Sequence, residues 1–458
     1  MLLTMERTLI GETPKFVGQK VKICGWVDTV RSHGKIVFFD LRDRSGLAQL
    51  VFVPRQDQEI NDLAKKLSSE WVVEVEGQVN QRPAKMVNEK LATGQVEILV
   101  ENLKVLSESE ILPFDIKDLN ASLPTILDYR PLTLRNEKIK AIFKIEEEVI
   151  SSFRNILSGL DFTEFQSPSI IPLPSEGGSE VFHIDYFDYH AYLAQSPQLY
   201  KQIMVGVFER VFTVSQVYRS EPSITTRHIC EFTGLDAEMG FINSWEEIMD
   251  MVETVTKGIF SNLQKNRSEE IEILEAKLPN LNAVFPRIKM REAQKIILER
   301  TGRNNTKEPD LEPEDEKEIC RYAKEKFDSD FIFITHYPTK KRPFYTFADP
   351  EDPDYTLSFD LLYNGLELIS GGQRINDYKK LVANIEKWGN KIENFDFYLQ
   401  AFKYGMPPEG GFGFGAERLV KQFLGLANIR EATFFPRDME RIDQRLSILQ
   451  GDKKKDKE

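Results

Sequence analysis

The strongest constraint in this chain is a block of five short β-prone runs within residues 17–106. KVKICGWV, KIVFFDLRD, LAQLVFV, WVVEVEGQV and QVEILVENLKVL are rich in β-branched and aromatic residues, and Gly, Ser, Asn and Asp punctuate them. Five such strands in so short a stretch suit a closed five-stranded barrel, and a small sandwich is the other arrangement the pattern allows. DQEINDLAKKLSSE, between the third and fourth runs, reads as a helix. In IVFFDLRD, Phe38 and Phe39 point to opposite faces of their strand, so one of them lies outside the core.

Beyond the barrel the pattern changes. SESEILPFDIKDLNASLPT is polar and dotted with proline, and 107–135 reads as a linker. IKAIFKIEEEVISSFRNILSGL then gathers its apolar residues on one helical face, with Gly159 as a stop. From there to about residue 438, strand-like runs (VFTVSQVYR, LDAEMGFI, FIFITHYP, SFDLLYNGLELISGG, GGFGFGAE) are mixed with helices (SWEEIMDMVETVTKGIFSNLQ, MREAQKIILERTG). Strands joined by short loops predict an antiparallel sheet flanked by helices, an α+β arrangement, and not repeated βαβ units. Residues 305–327 are strongly charged and predict an exposed helix with a leading loop, and the tail 446–458 reads as disordered.

Composition removes whole classes of function. The 458 residues carry 60 Lys+Arg against 73 Asp+Glu, a net charge of −13, and 41% are hydrophobic. That balance excludes wholesale disorder. No run approaches the ~20 apolar residues that span a bilayer, so no membrane partner is expected. The N-terminus lacks a signal-peptide core, which points to the cytoplasm. Cys24, Cys230 and Cys320 are odd in number and far apart, which argues against a disulfide framework or a CxxC zinc site. The acidic balance speaks against a broad nucleic-acid coat but leaves room for a local basic groove.

Four segments concentrate polar residues: SEGGSEVF (175–182), QSPQLYKQ (195–202), VYRSEPSITTRHICEF with GLDAEM (217–239), and GLELISGGQR with GGFGFGAERL (365–374 and 410–419). Arg219 and Glu221 sit two apart at a strand end and share a face; taken alone they could simply pair. His228 and Phe232 follow, so the strand–loop–strand offers a cation, an acid, an imidazole and a flat ring, a set that suits a nucleotide. GGFGFGAER fits only the loose GxGxxA pattern with no βαβ context, so a Rossmann loop is a poor reading. A Gly-rich strand that lets a ligand approach the backbone is the alternative.

Together these segments resemble the class II aminoacyl-tRNA synthetases. DFTEFQSPSI (161–170), VYRSEPSITTRHICEF and GGFGFGAERL are similar to that class's three ordered motifs. The barrel ahead of them resembles the oligonucleotide-binding (OB) type of the aspartyl/asparaginyl/lysyl subgroup. SPQLYKQ, SGGQRI and FPRD, with Asp236, Gln373 and Asp438, resemble the aspartyl family within it. The implied division is an OB anticodon-binding domain over 1–106, the linker, a catalytic domain over 136–445, and the tail.

The resemblance implies a two-step ligase: aspartate and ATP give aspartyl-adenylate and pyrophosphate, and the aspartyl group passes to tRNA. It implies a homodimer, from the first motif, and Mg²⁺ as cofactor. By the family pattern Arg219 binds the α-phosphate and the reacting carboxylate, and Arg418 holds the far end of ATP. Glu221 and the backbone of Arg227, His228 and Ile229 meet adenine; Phe232 stacks on it, and Gly415 belongs to the same ATP site. Glu367 and Ser370 match the magnesium ligands, oxygen donors that suit this hard cation. Arg374 and Lys201 match the pair for the aspartate side-chain carboxylate. Glu176, Gln198 and Asp236 match the acceptors for its ammonium, and Ser370 belongs to the same pocket. In the barrel, Phe38 matches a base-stacking position, Gln49 a base-edge reader, and Arg82 and Glu97 further anticodon contacts. His33 resembles the pattern of members that also charge asparagine tRNA, whereas Lys85 does not. An asparagine–tRNA ligase and a non-catalytic tRNA-binding paralogue are the rival readings.

Overall fold

A computed structural model describes residues 5–54, 58–118, 120–174, 181–220, 222 and 225–448. The chain forms two compact units, meeting in sequence between Asp115 and Ile116. The segment read as a linker is divided between them: its second half carries the short helices Leu123–Asp128 and Arg130–Thr133. Arg130 anchors them by donating to the Phe434 and Thr433 carbonyls. That contact spans some 300 residues, and local composition carries no sign of it.

In the first unit, β1 (Lys20–His33), β2 (Ile36–Asp43), β3 (Gly46–Phe52), β4 (Val72–Gln81) and β5 (Val96–Ser107) close into a barrel in the order β1-β2-β3-β5-β4. Helix α1 (Gln58–Lys66) lies between β3 and β4, where the sequence predicts it. Closure pairs β3 with β5 in parallel and the other neighbours antiparallel. Alternation along β2 sends Phe39 and Leu41 into the core and leaves Phe38 half-buried outside. Burying a side chain such as Phe39 contributes about 1.5–3 kcal/mol.

The second unit is built on an eight-stranded sheet among the described residues. Its strands are β6 (Thr163–Glu164), β7 (Arg210–Tyr218), β8 (Glu231–Gly240), β9 (Arg287–Lys289), β10 (Phe331–Thr335), β11 (Ser358–Tyr363), β12 (Leu366–Gln373) and β13 (Glu409–Gly415). Their spatial order is β9-β10-β11-β12-β13-β8-β7-β6. The interior of the sheet is antiparallel as expected; only the two edge pairs, β9–β10 and β6–β7, are parallel.

Helices α2 (Glu137–Gly159), α4 (Glu246–Asn266) and α8 (Ala416–Leu424) contribute to its main core, with α3 (Gln198–Phe208) at the site described below. Asn136 caps α2 by accepting from the Lys138 and Ile139 amides. Helix α6 (Pro313–Phe327) begins with a capping box between Glu312 and Asp315. It is less exposed than its charge suggests, because Ile319, Cys320 and Ala323 pack into a satellite core with Ile332 and Ile334. No helix among the described residues is long and apolar enough to cross a membrane.

Candidate functional site

The central strands β12, β13, β8 and β7 form the floor of a cleft of about 430 Å³. Two glycines explain how polar groups fit beneath it. A Cβ on Gly413 would stand 2.5 Å from Asp236 Oδ1, and one on Gly411 would stand 2.1 Å from Glu238 Oε2. Asp236 and Glu238 alternate on one face of β8 and are 7% and 0% exposed. The glycine strand β13 is therefore the space into which two carboxylates are folded.

Helix α3 supplies the cation. Gln198, Lys201 and Gln202 lie at i, i+3 and i+4 and share its buried face. Lys201 Nζ donates to Asp236 Oδ1 and the Phe412 carbonyl, each at 3.0 Å, and lies 3.2 Å from Glu238 Oε2. Arg374 follows β12; its Nε donates to Glu238 Oε1 at 2.7 Å and its Nη2 to the Gly411 carbonyl at 3.0 Å. Burial works against the guanidinium charge, but the Glu238 carboxylate outweighs it and holds Arg374 firmly protonated. Its Nη1 takes part in neither bond.

At the other end of the site the Arg219 guanidinium sits 5.5 Å from the Phe232 ring centre. A Cβ on Gly415 would lie 3.4 Å from that ring, so glycine leaves the ring's side open. Arg418 Nη1 donates to the Glu367 carbonyl at 3.2 Å. Arg227 reaches across to α6, where Glu316 Oε2 accepts from it at 2.9 Å. Burial and then the nearby Glu367 carboxylate push the Glu316 pKa up to about 7, against the pull of Arg227. His228 Nδ1 lies 2.6 Å from Thr225 Oγ1. Ile229 also lines the cleft, so the structure brings the ATP and aspartate candidates into one space. Glu176 and Glu221 lie outside the described residues.

Ser370 Oγ lies 2.6 Å from Asp360 Oδ1 and 3.0 Å from Glu367 Oε1, so its one hydroxyl hydrogen is shared between the two carboxylates. Asp360 lies opposite Ser370 across β11–β12 and is paired with Arg342 at 2.8 Å. Burial lifts its pKa, opposed by Arg342. Sequence reasoning missed Asp360 because SFDLLY reads as an apolar strand; counting register across the hairpin from Ser370 finds it. Glu238 was missed too, although alternation from Asp236 pointed to it. Among the described residues no group of three or more His, Cys, Asp or Glu could hold a metal ion. Two carboxylates and a hydroxyl nevertheless form an all-oxygen set, which fits Mg²⁺ when phosphates and water complete the shell.

The barrel gathers its candidates on one outer face. Phe38 lies beside Arg31 on β1 and forms an edge contact with the His33 ring at 6.1 Å. Gln49 faces Asp40 across β2–β3. Glu97 is brought alongside by the parallel pairing of Leu50 with Ile98. Arg82 Nε is 3.8 Å from Glu97 Oε2. Burial lowers the Arg82 pKa while Glu97 and Asp40 pull it back up. A ring, an amide and paired charges on one face can stack on and hydrogen-bond to splayed bases.

Comparison with known proteins agrees with this geometry. The family described as tRNA synthetases class II (D, K and N) matches residues 122–439. The OB-fold nucleic acid binding domain matches residues 21–106. The chain is 42% identical over 440 residues to the aspartate–tRNA(Asp/Asn) ligase of Aeropyrum pernix, covering 95% of this chain and 98% of that protein. It is 41% identical to the aspartate–tRNA(Asp) ligase of Pyrococcus abyssi, covering 94% and 97%. The crystal structure of asparaginyl-tRNA synthetase from Pyrococcus horikoshii with asparaginyl-adenylate superposes with a TM-score of 0.88 at 34% identity, covering 96% and 100%. A barrel with an aromatic and paired charges on one face, and a cleft floored by a glycine strand with arginines along it, thus have one common source: the chain belongs to the class II tRNA synthetases of the D, K and N group.

Proposed function

We propose that this chain is an aspartate–tRNA ligase: it activates L-aspartate with ATP and transfers the aspartyl group to the 3′ end of tRNA(Asp). The observation that carries the choice of amino acid is the pair Lys201 and Arg374, buried together beside Glu238. Two cations against one carboxylate leave a positive charge for the substrate's side chain, once Asp236 is assigned to its ammonium. The aspartate ligases named above, at 41–42% identity over nearly the whole chain, support the same choice. A non-catalytic paralogue is disfavoured because Arg219, Glu367 and Arg418 all line the cleft.

In the first step an oxygen of the aspartate α-carboxylate attacks the α-phosphorus. The bond to the bridging oxygen breaks, and pyrophosphate leaves with the electron pair. Two anions meet, so cations matter more than a general base. Arg219 neutralises the α-phosphate and the attacking carboxylate, and Arg418 holds the far end of ATP. Phe232 stacks on adenine, with Glu221 and the backbone of 227–229 reading its edge. Gln198, Asp236 and Glu176 accept from the ammonium. Lys201 donates to Asp236 and Phe412 and lies beside Glu238, so the substrate carboxylate shares this cation with them, while Nη1 of Arg374 is unused by Glu238 and Gly411. Glu367 and Ser370, with Asp360 beside them, would hold Mg²⁺, which neutralises polyphosphate charge when bound. In the barrel Phe38, Gln49, Arg82 and Glu97 contact the anticodon.

Homodimerisation, resting on residues 161–170, and a cytoplasmic location complete the proposal. ATP–pyrophosphate exchange with aspartate and with asparagine in separate reactions tests it. Exchange with aspartate alone is the expected result; exchange with asparagine overturns the assignment of Arg374 and Lys201. Charging of tRNA(Asp) and tRNA(Asn) then reads the acceptor range, and sedimentation equilibrium reads the dimer.

A further inference from the structure

Behind Lys201 and Arg374 lies an ionisable group that the mechanism above does not use. Glu409, the first residue of β13, is 0% exposed. Its Oε1 accepts from Gln202 Nε2 at 2.8 Å, and its Oε2 has no hydrogen-bond partner among the described residues. Gln202 is held in place because its own oxygen accepts from Gln198 Nε2 at 3.0 Å and from the Tyr398 hydroxyl at 3.1 Å. A hydrogen-bonded chain therefore runs from Gln198 at the cleft to Glu409 behind it. The Arg374 amide also donates to the Glu409 carbonyl at 2.9 Å, so the two residues are neighbours.

Charge counting shows what this group controls. Lys201 and Arg374 supply two positive charges, and Asp236 and Glu238 supply two negative ones. If Asp236 serves the substrate ammonium, the remaining three charges sum to plus one, the complement of a carboxylate side chain. An ionised Glu409 would bring that sum to zero, the complement of an uncharged amide. In a buried cluster one charge weighs heavily, because little water screens it.

We propose that Glu409, buried behind Arg374 and Lys201 with one oxygen unpartnered, is the positioning residue whose charge decides how well this pocket holds an acid rather than an amide. The inference rests on the aspartate-activating reading above and deepens it. The groups that face Glu409 are Glu238 from β8, Arg374 after β12, Lys201 from α3, and Tyr398 from the helix Asp396–Lys403. Burial, and then the Glu238 carboxylate, hold its pKa well above the ordinary carboxylate value, while Gln202, Arg374 and Lys201 pull the other way. An unpartnered Oε2 agrees with that direction, since a buried carboxylate normally finds donors for both oxygens.

The test is the KM for aspartate in ATP–pyrophosphate exchange from about pH 6 to about pH 9, in the unaltered protein and in Glu409→Gln. Glutamine keeps an oxygen for Gln202 and is neutral at every pH. In the unaltered protein the KM for aspartate is expected to rise about tenfold per pH unit once Glu409 ionises, as one released proton requires. That component should vanish in Glu409→Gln, while the KM for ATP shows the same pH dependence in both, which separates a charge effect from damaged folding. Identical aspartate profiles in the two proteins overturn the inference and leave the reaction standing. A Glu409→Gln protein that loses aspartate activation at every pH while still binding ATP also overturns it, because the ionised form would then be the required one. An unaltered protein that activates asparagine instead of aspartate overturns the reading of the reaction, and this inference with it.

Discussion

Lys201 in the cleft, and Glu238 and Glu409 packed behind it, are at most 1% exposed, whereas on the barrel face the Arg31 side chain is 50% exposed and that of its partner Asp40 12%. Both regions pair cations with carboxylates, and they do so to different ends. In the cleft each charge is held by others that are equally dry, so removing one leaves its partner unsolvated. On the barrel only the Arg31 end of its pair meets water freely, and the ring of Phe38 rather than any charge is the feature that a base can use. On the proposed assignment, amino-acid choice depends on a buried arrangement that tolerates little change, and anticodon contact on a face that tolerates more.

Arg374→Leu is the harshest way to break this contrast. It strands Glu238 without its guanidinium, and aspartate activation should fall by about 10⁴-fold or more, as for a site that loses the partner of a charged group. A lower melting temperature should accompany it, with ATP binding retained. Pyrophosphate exchange and ATP titration check this, and retained aspartate activation would sink the assignment.

Glu146 sharpens the same side. It is 6% exposed, and burial, then Glu417, push its pKa up to about 8. The folded form therefore binds a proton more tightly than the unfolded form. Its contribution to stability is intact below the ordinary carboxyl range and is lost as pH rises through about 8. Glu146→Gln should thus stabilise the protein by on the order of 2–4 kcal/mol above that pH and change little at about pH 4. Thermal melts at the two pH values decide; a gain confined to low pH would reverse the sign and refute it.

Phe38→Ala moves the test to the barrel. Loss of one stacked base should weaken tRNA charging by about 1–3 kcal/mol and spare adenylate formation. Equal loss in both steps would mark Phe38 as a core residue after all. The smallest effect is expected from Arg31→Ala: the Arg31 side chain is half exposed, although Asp40 is not, and its removal should shift stability by less than about 1 kcal/mol. A larger loss in denaturant titration would show the barrel face to be as interlocked as the cleft.

Much of the site could be read along the chain. Arg219 and Phe232 could be read from the run VYRSEPSITTRHICEF, and Asp236 from the motif resemblance, since these positions lie close together along the chain. Phe38 was separated from Phe39 by the two-residue period of a strand. Other members were hidden by their surroundings. Asp360 sits within apolar SFDLLY, and Glu409 follows two prolines in PPEGG, which reads as a turn and not as the start of a buried strand. The charged helix α6 looked solvated because its apolar positions are a minority, yet they meet β10.

What the sequence determined by itself is local and periodic: which runs become strands, which faces are apolar, and where the motif arginines and glycines occur. Those follow from steric and hydrophobic preferences that act over a few residues. What only the tertiary structure decided is which charges share a dry space. Arg374 and Glu238 are 136 residues apart, and Gln202 and Glu409 are 207 apart. Electrostatic meaning depends on distance and solvent access, which no local pattern contains, so the balance of charge around the cleft emerges only when β8, β13 and α3 close on one another.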